Sequence, residues 1–206
     1  MSKLAILGAS GHGKVVADIA LSTGWEEIYF YDDAWPEKNK LEHWDVHGGL
    51  NELLKQLGSY GGVVVAIGNN KVRQSTLKSL EAAGANLPTL IHPSAIVSQF
   101  AKLEPGCVLV AGAIVNAFAR LGKGCIVNTG ATVGHDCHLD SCVHVAPGAN
   151  VAGGVVIGSR SWVGIGTSIK QLVQIGSDVT IGAGAAVVQN VPNGITVAGV
   201  PARPIE

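Results

Sequence analysis

Hydrophobic and polar positions along the chain follow two periods, one after the other. Up to about residue 85, short aliphatic runs alternate with stretches of helical spacing. Residues 4–7 are apolar throughout and end in Gly8-Ala9-Ser10-Gly11-His12-Gly13; the stretch after them puts Val15, Val16, Ile19 and Ala20 at helical spacing and stops at Gly24. Residues 28–31 read as a second strand ending in Asp32-Asp33, and 50–57 read as a helix. Residues 62–67 form a fully apolar third strand ending in Gly68-Asn69-Asn70, and 72–83 a helix stopping at Gly84. Strands alternating with helices pair in parallel, with the helices as crossovers. With room for three or four strands, residues 1–85 predict a truncated, Rossmann-like α/β domain.

From residue 91 onward the period is six. Ile91, Val97 and Leu103 begin a series of seventeen branched aliphatic residues that runs without a gap to Ile181 and Val187. Four places after the aliphatic position comes a mostly small residue: Ala95, Ala101, Cys107, Ala113, Ala119, Cys125, Ala131 and Cys137, then Ala149 and Ser161. This is the hexapeptide repeat of a parallel β-helix. Three hexapeptides make one triangular coil, and coils stack at the strand spacing of about 4.8 Å. The aliphatic residue points into the prism and the small one fits near its corner. Residues 86–206 are therefore predicted to be an all-β domain of between five and six coils. Glycines such as Gly122, Gly134, Gly158, Gly164, Gly176 and Gly182 are expected to supply its tight turns. Residues 191–206, with Pro192, Pro201 and Pro204, are expected to leave the prism as a tail.

Composition agrees with a thin aliphatic core: hydrophobic residues make up 47% of the 206, aromatic residues only 5%, and there are 28 glycines. The formal net charge of −1, with Lys and Arg scattered, recommends neither nucleic acid nor an anionic membrane as a partner. The chain shows no basic-then-apolar leader and no apolar run of about 18 residues, so a cytoplasmic protein is expected. The four cysteines form no C-x-x-C pair, and Cys107, Cys125 and Cys137 fall on the small-residue position. They are expected to be reduced, buried side chains rather than disulfides or metal ligands.

One coil carries most of the candidate chemistry. His135, His138 and His144 lie within ten residues, none at the inward position, and Asp136 follows His135 directly. A carboxylate beside an imidazole can hold it in one tautomer and strengthen it as a base. Cys137 is the nearest possible acyl carrier, but its inward position argues against an acyl-enzyme. In the first domain, a glycine-rich turn between strand and helix offers backbone N–H groups and a helix N-terminus to a phosphate. Asp32 and Asp33, about 20 positions later, are placed to accept hydrogen bonds from a ribose or base. The spacing Gly8-x-x-Gly11-x-Gly13 departs from G-x-G-x-x-G, which argues against NAD.

Several motifs together are similar to the NeuD-type family of sugar acyltransferases, over essentially the whole chain. They are Gly8-Ala9-Ser10-Gly11-His12-Gly13, Asp32-Asp33, Ala66-Ile67-Gly68-Asn69-Asn70, Ile91-His92-Pro93-Ser94-Ala95, Gly134-His135-Asp136 and Gly199-Val200-Pro201-Ala202. Within that family the chain most resembles bacterial N-acetyltransferases of UDP-4-amino sugars in bacillosamine-type pathways. The resemblance implies a left-handed β-helix, a homotrimer, and acetyl-CoA as co-substrate with no permanently bound cofactor or metal. It implies that His135 is the general base for the sugar amine as it attacks the thioester, and that Asp136 strengthens that base. Asn128 would lie near the sugar, His144 would face the acetyl group or thioester, and Gly153 and Ile165 would line the CoA slot. Ser10, Gly11 and His12 would contact the UDP portion, with Asp32 and Asp33 at its uridine and Gly68 nearby. Three alternatives stand beside this reading. One is O-acetylation of a sugar or sialic acid; another is a scaffold that binds nucleotide sugars without catalysis. The third is a γ-type carbonic anhydrase, whose paired histidines five apart are missing here.

Overall fold

A computed structural model describes residues 2–205; Met1 and Glu206, the outer ends of the two predicted domains, lie outside the described residues. The chain forms two compact units, Met1–Pro93 and Ser94–Glu206. Residues just beyond the 85/86 boundary read from the sequence belong to the first unit, where the Val63 N–H donates to the Asn86 carbonyl and Leu87 and Leu90 are buried.

The first unit runs β1 (Lys3–Leu7), α1 (Gly11–Ser22), β2 (Glu27–Tyr31), a hairpin of β3 (Lys40–Leu41) and β4 (Trp44–Asp45), α2 (Leu50–Lys55), β5 (Gly62–Val65) and α3 (Asn70–Ala82). β1, β2 and β5 make one parallel sheet in the order β2-β1-β5. Central β1 buries Leu4, Ala5, Ile6 and Leu7 alike, as a parallel strand covered on both faces should. α1 buries Val16, Ala17, Ile19 and Ala20 and leaves Lys14 and Asp18 exposed, as an amphipathic helix should; Val15, read from the spacing as part of the buried stripe, is exposed instead. The β3–β4 hairpin has no counterpart in the sequence reading, because two-residue strands are too short to show a period.

The second unit is a left-handed parallel β-helix of about six turns. Its strands are two residues long and pair at a register of eighteen: Ile114 with Thr132, Thr132 with Asn150, Arg120 with His138, and Ile126 with His144. The aliphatic column is buried from Leu109 through Val187. At the small position the cysteines are free and buried. Their thiols donate to carbonyls fifteen residues on: Cys107 to Gly122, Cys125 to Asp140 and Cys137 to Ala152. Ser161 does the same to Gly176 with its hydroxyl. The repeat thus selects a small side chain, most often alanine, and where that side chain carries a donor, sulfur or oxygen, it meets the same carbonyl.

Two expectations are corrected. The tight turns are not made by the glycines of the Gly134 series. Every sixth residue from Gly106 to Gly184 has positive φ instead, eight of them glycines and the others Phe118, Asp136, Cys142, Arg160, Leu172 and Asp178. Gly134 and its equivalents are small because the coil above presses on them: a Cβ at Gly134 would lie 2.6 Å from the Gly153 nitrogen. Residues 191–206 do not leave the prism at once. Val191 bridges Ile175 and Val197 pairs with Ile181, both in parallel and at a register of sixteen, before residues 203–205 turn back antiparallel on residues 196–198. A corner shortened by two residues hides this last coil from a strict period of six.

Candidate active site

Where β1, β2 and β5 end, the chain leaves the sheet in turns that line a cleft of about 290 Å³, and Ser10, Asp32, Asp33 and Gly68 all face it. Such a position, at the carboxyl ends of parallel strands, is where open α/β sheets bind ligands. Both aspartates also tie their own loops. Asp32 accepts from the Ala9 N–H at 2.8 Å and the Ala34 N–H at 3.0 Å, and Lys38 lies 3.5 Å away. Burial alone would raise its pKa, but those donors and the ammonium overcome it and hold the carboxyl below its ordinary value. Asp33 accepts from the Leu50 N–H at 2.8 Å, giving α2 the cap that Gly49 has no side chain to provide. Gly11 and His12 open α1 and do not line the cleft. Burial first, and the Arg73 guanidinium second, lower the His12 imidazole to about 4, so it is neutral at pH 7.

In the β-helix the site residues gather at one corner of the prism and along one face with the corner that follows it. His135 and Asp136 follow the strand Thr132–Val133. Asp136 occupies the left-handed turn position, with φ 58°, a conformation Asp tolerates better than most side chains. There its Oδ2 lies 2.8 Å from His135 Nδ1, on side chains that are 71% and 64% exposed. The other ring nitrogen, Nε2, leans over Gly153 in the next coil: a Cβ on Gly153 would lie 2.5 Å from it. Gly153 is therefore the seat of the His135 ring. Cys137, next along, is buried with its thiol given to Ala152, and burial pushes its pKa up, which keeps it an un-ionised thiol.

The second group lies on the face made by the strands Ile126–Val127, His144–Val145 and Trp162–Val163 and at the corner after it. Asn128 Oδ1 accepts from the Thr129 N–H at 2.8 Å, which fixes the orientation of the amide. Its Nδ2 then donates to His144 Nε2 at 3.1 Å, so that nitrogen carries a lone pair and not a proton. His144 is buried, and its ring packs on Trp162 with centroids 4.2 Å apart. Ile165 is 58% exposed at the corner after Trp162–Val163. His138, by contrast, lies on the third face and meets Asp140 at 3.2 Å. Among the described residues, no three His, Cys, Asp or Glu side chains form a metal-ligand set. Two residues escaped the sequence reading. Trp162 could have been found by adding one coil of eighteen to His144. Arg73 could not, since an arginine in a helical stretch reads as solvated.

A crossover α/β unit with a strand-end cleft, joined in one chain to a hexapeptide β-helix bearing an exposed His–Asp pair, defines a β-helix transferase. The PglD N-terminal domain model matches residues 3–80. The acetyltransferase domain of PglB from Neisseria gonorrhoeae FA1090, also solved with acetyl coenzyme A, superposes with a TM-score of 0.94 at 44% identity; in the first of these structures each chain is covered completely. PerB from Caulobacter crescentus, solved with CoA and GDP-perosamine, gives 0.93 at 35% identity, covering 100% of this chain and 98% of that one. A UDP-N-acetylbacillosamine N-acetyltransferase of Bacillus subtilis is 36% identical over 115 residues, 54% of this chain and 52% of that protein, so the match spans about half of the curated relative. The chain belongs to the NeuD/PglD-type family of acetyltransferases.

Proposed function

We propose that the chain transfers the acetyl group of acetyl-CoA directly to the 4-amino group of a UDP-linked amino-deoxy sugar, with His135 as general base. The observation that carries the reading is the His135–Asp136 contact at 2.8 Å. With Nδ1–H given to the carboxylate, Nε2 is left as the basic nitrogen. As the amine nitrogen bonds to the thioester carbon, Nε2 takes its proton and the C–S bond breaks. The CoA thiolate leaves and is protonated from the imidazolium or water. Asp136 stabilises the imidazolium formed on the way. Asn128 is assigned to the sugar, and His144, Gly153 and Ile165 to acetyl-CoA. The strand-end cleft and the start of α1, through Ser10, Gly11, His12, Asp32, Asp33 and Gly68, are assigned to the UDP part. The name of the B. subtilis relative supports a UDP-linked amino-sugar acceptor, and the acetyl coenzyme A bound to the PglB domain supports the donor; the GDP-perosamine of PerB carries a different nucleotide. No helix among the described residues is long and apolar enough to cross a membrane, and the proposed location is the cytoplasm.

A homotrimer belongs to the same proposal. His135 follows the strand Thr132–Val133 and His144 lies in the strand His144–Val145 on another face of the prism; in this proposal one site draws the two from neighbouring copies. Light scattering is expected to give three times the 21.1 kDa chain mass. Mixing His135→Ala and His144→Ala chains is the sharper test. Each mixed trimer contains one interface with both histidines intact, so activity returns toward about a third of wild type per trimer. Failure of the mixture to exceed either parent, with subunit exchange verified, sinks the shared site.

A further inference from the structure

The core of the β-helix is aliphatic, and the aromatic residues of the second unit are Phe100, Phe118 and Trp162. Phe100 and Phe118 follow the paired strands Ile96–Val97 and Ile114–Val115, so they stand one coil apart at the same corner, 55% and 59% exposed. Their rings stack with centroids 5.3 Å apart and planes 19° from parallel, a favourable pairing that still leaves much apolar surface to water. Phe118 also occupies the left-handed turn position, with φ 62°, a conformation that a bulky side chain rarely adopts. At Gly154, two coils on, the same position is glycine. Core packing does not explain an exposed ring there, and backbone preference opposes it. Residues held in such conformations cluster at ligand sites.

The next residue in this corner column is Asp136, one coil beyond Phe118. The Asp136 N–H donates to the Ala117 carbonyl at 3.1 Å, so the corner of Phe118 lies against that of His135 and Asp136, at the strand spacing of about 4.8 Å. Phe100 covers one face of the Phe118 ring, and the opposite face is turned toward the coil of His135. Asn128, assigned to the sugar, belongs to that same coil, whereas Gly153 and Ile165, assigned to acetyl-CoA, belong to later ones. The phenylalanines thus stand on the side of the proposed base away from the residues given to the donor. In a sugar acetylated at its 4-amino group, C5 is the carbon next to the reacting one, so the group that C5 carries is held beside the base. A phenyl face there is matched by a methyl group; a hydroxymethyl would give up water without gaining a partner.

We infer that Phe118, backed by Phe100, is a specificity-determining platform that selects an acceptor sugar with a methyl group on C5 over one with a hydroxymethyl group. The inference rests on the reading of this protein as a 4-amino-sugar acetyltransferase with His135 at the reacting amine. Steady-state kinetics of the full chain tests it, with acetyl-CoA and two UDP-linked 4-amino sugars that differ only at that group. Wild type prefers the methyl sugar by roughly tenfold or more in kcat/KM. Phe118→Asn removes the ring while keeping a residue that tolerates positive φ. It narrows the preference to about two- to threefold, chiefly by raising KM for the methyl sugar, while KM for acetyl-CoA moves by less than about twofold. Phe118→Tyr keeps the preference, and Phe100→Ala narrows it by less than Phe118→Asn does. A preference as wide in Phe118→Asn as in wild type overturns the inference. So does a Phe118→Asn protein of smaller assembled mass by light scattering, which makes the pair an interface between copies. A wild type that acetylates neither sugar removes the acetyltransferase reading, and the inference with it; one that acetylates both equally removes the inference alone.

Discussion

In the first unit the candidate site residues sit where the backbone leaves secondary structure; in the β-helix they sit on the repeat itself. Ser10, Asp32, Asp33 and Gly68 meet in a cleft only because three strands end side by side, and much of what they offer is backbone N–H and buried charge. His135, Asp136 and Gly153 occupy positions that every coil possesses, and the chemistry comes from which side chain each coil places there. The turns of the first unit are tuned by burial: His12, at the start of α1 and outside the cleft, is held near 4. A corner of the prism is tuned by register, since a shift of eighteen residues decides what lies above what.

The largest expected effects test the register half of this contrast. His135→Ala is expected to lower kcat by roughly 10²–10⁴, with much smaller changes in KM, because the proton moves only during reaction. Gly153→Ala is the more telling variant. Its methyl would occupy the space beside Nε2, so kcat is expected to fall by roughly 10²-fold in a protein that still folds. A Gly153→Ala enzyme with near-normal kcat would show that the seat under the ring is unimportant. Asp136→Asn keeps the shape without the charge and is expected to cost less than His135→Ala, on the order of tenfold in kcat. Steady-state kinetics on the three purified proteins ranks them.

The burial half predicts a pH effect on stability. His12 has a folded pKa of about 4 against an ordinary 6.5. Between those values the unfolded chain binds a proton that the folded chain refuses, so stability falls as pH falls from about 6.5 to about 4, by up to about 3 kcal/mol. Urea unfolding at pH 7 and pH 4.5 measures it, and His12→Gln is expected to remove that part of the slope. An unchanged slope in His12→Gln would assign the acid sensitivity to other groups.

The smallest effect separates the fold of the β-helix from its chemistry. Arg160 and Asp178, one coil apart at left-handed turn positions, form a two-pronged ion pair at 2.9 and 2.6 Å on side chains about a quarter exposed. Arg160→Ala is expected to cost about 1–2 kcal/mol of stability and no activity. Arg160→Gly is expected to cost less, because glycine relieves the positive φ while losing the same pair. Thermal unfolding of the two variants gives the order, and a reversed order would mean that the turn is unstrained.

Periodicity alone determined the two architectures, because a helix stripe and a prism repeat are written in residue spacing and need no knowledge of contacts. The aliphatic column, the buried cysteines of the small position and the presence of each major helix were legible for that reason. The stacking of Trp162 on His144 and of His135 over Gly153 was written in the spacing of eighteen as well, although no motif advertises it. What only the tertiary structure decided was the work each small or charged residue does. Gly134 and Gly153 look alike in the sequence, yet the first makes room for backbone of the next coil and the second for an imidazole ring. Asp32 and Asp33 read as ligand acceptors, and the structure shows both also holding loops. Arg73 reads as solvated until α3 packs it behind the Gly68 turn. Burial, close approach and hydrogen-bond partners depend on residues far apart in the chain, and spacing carries no record of them.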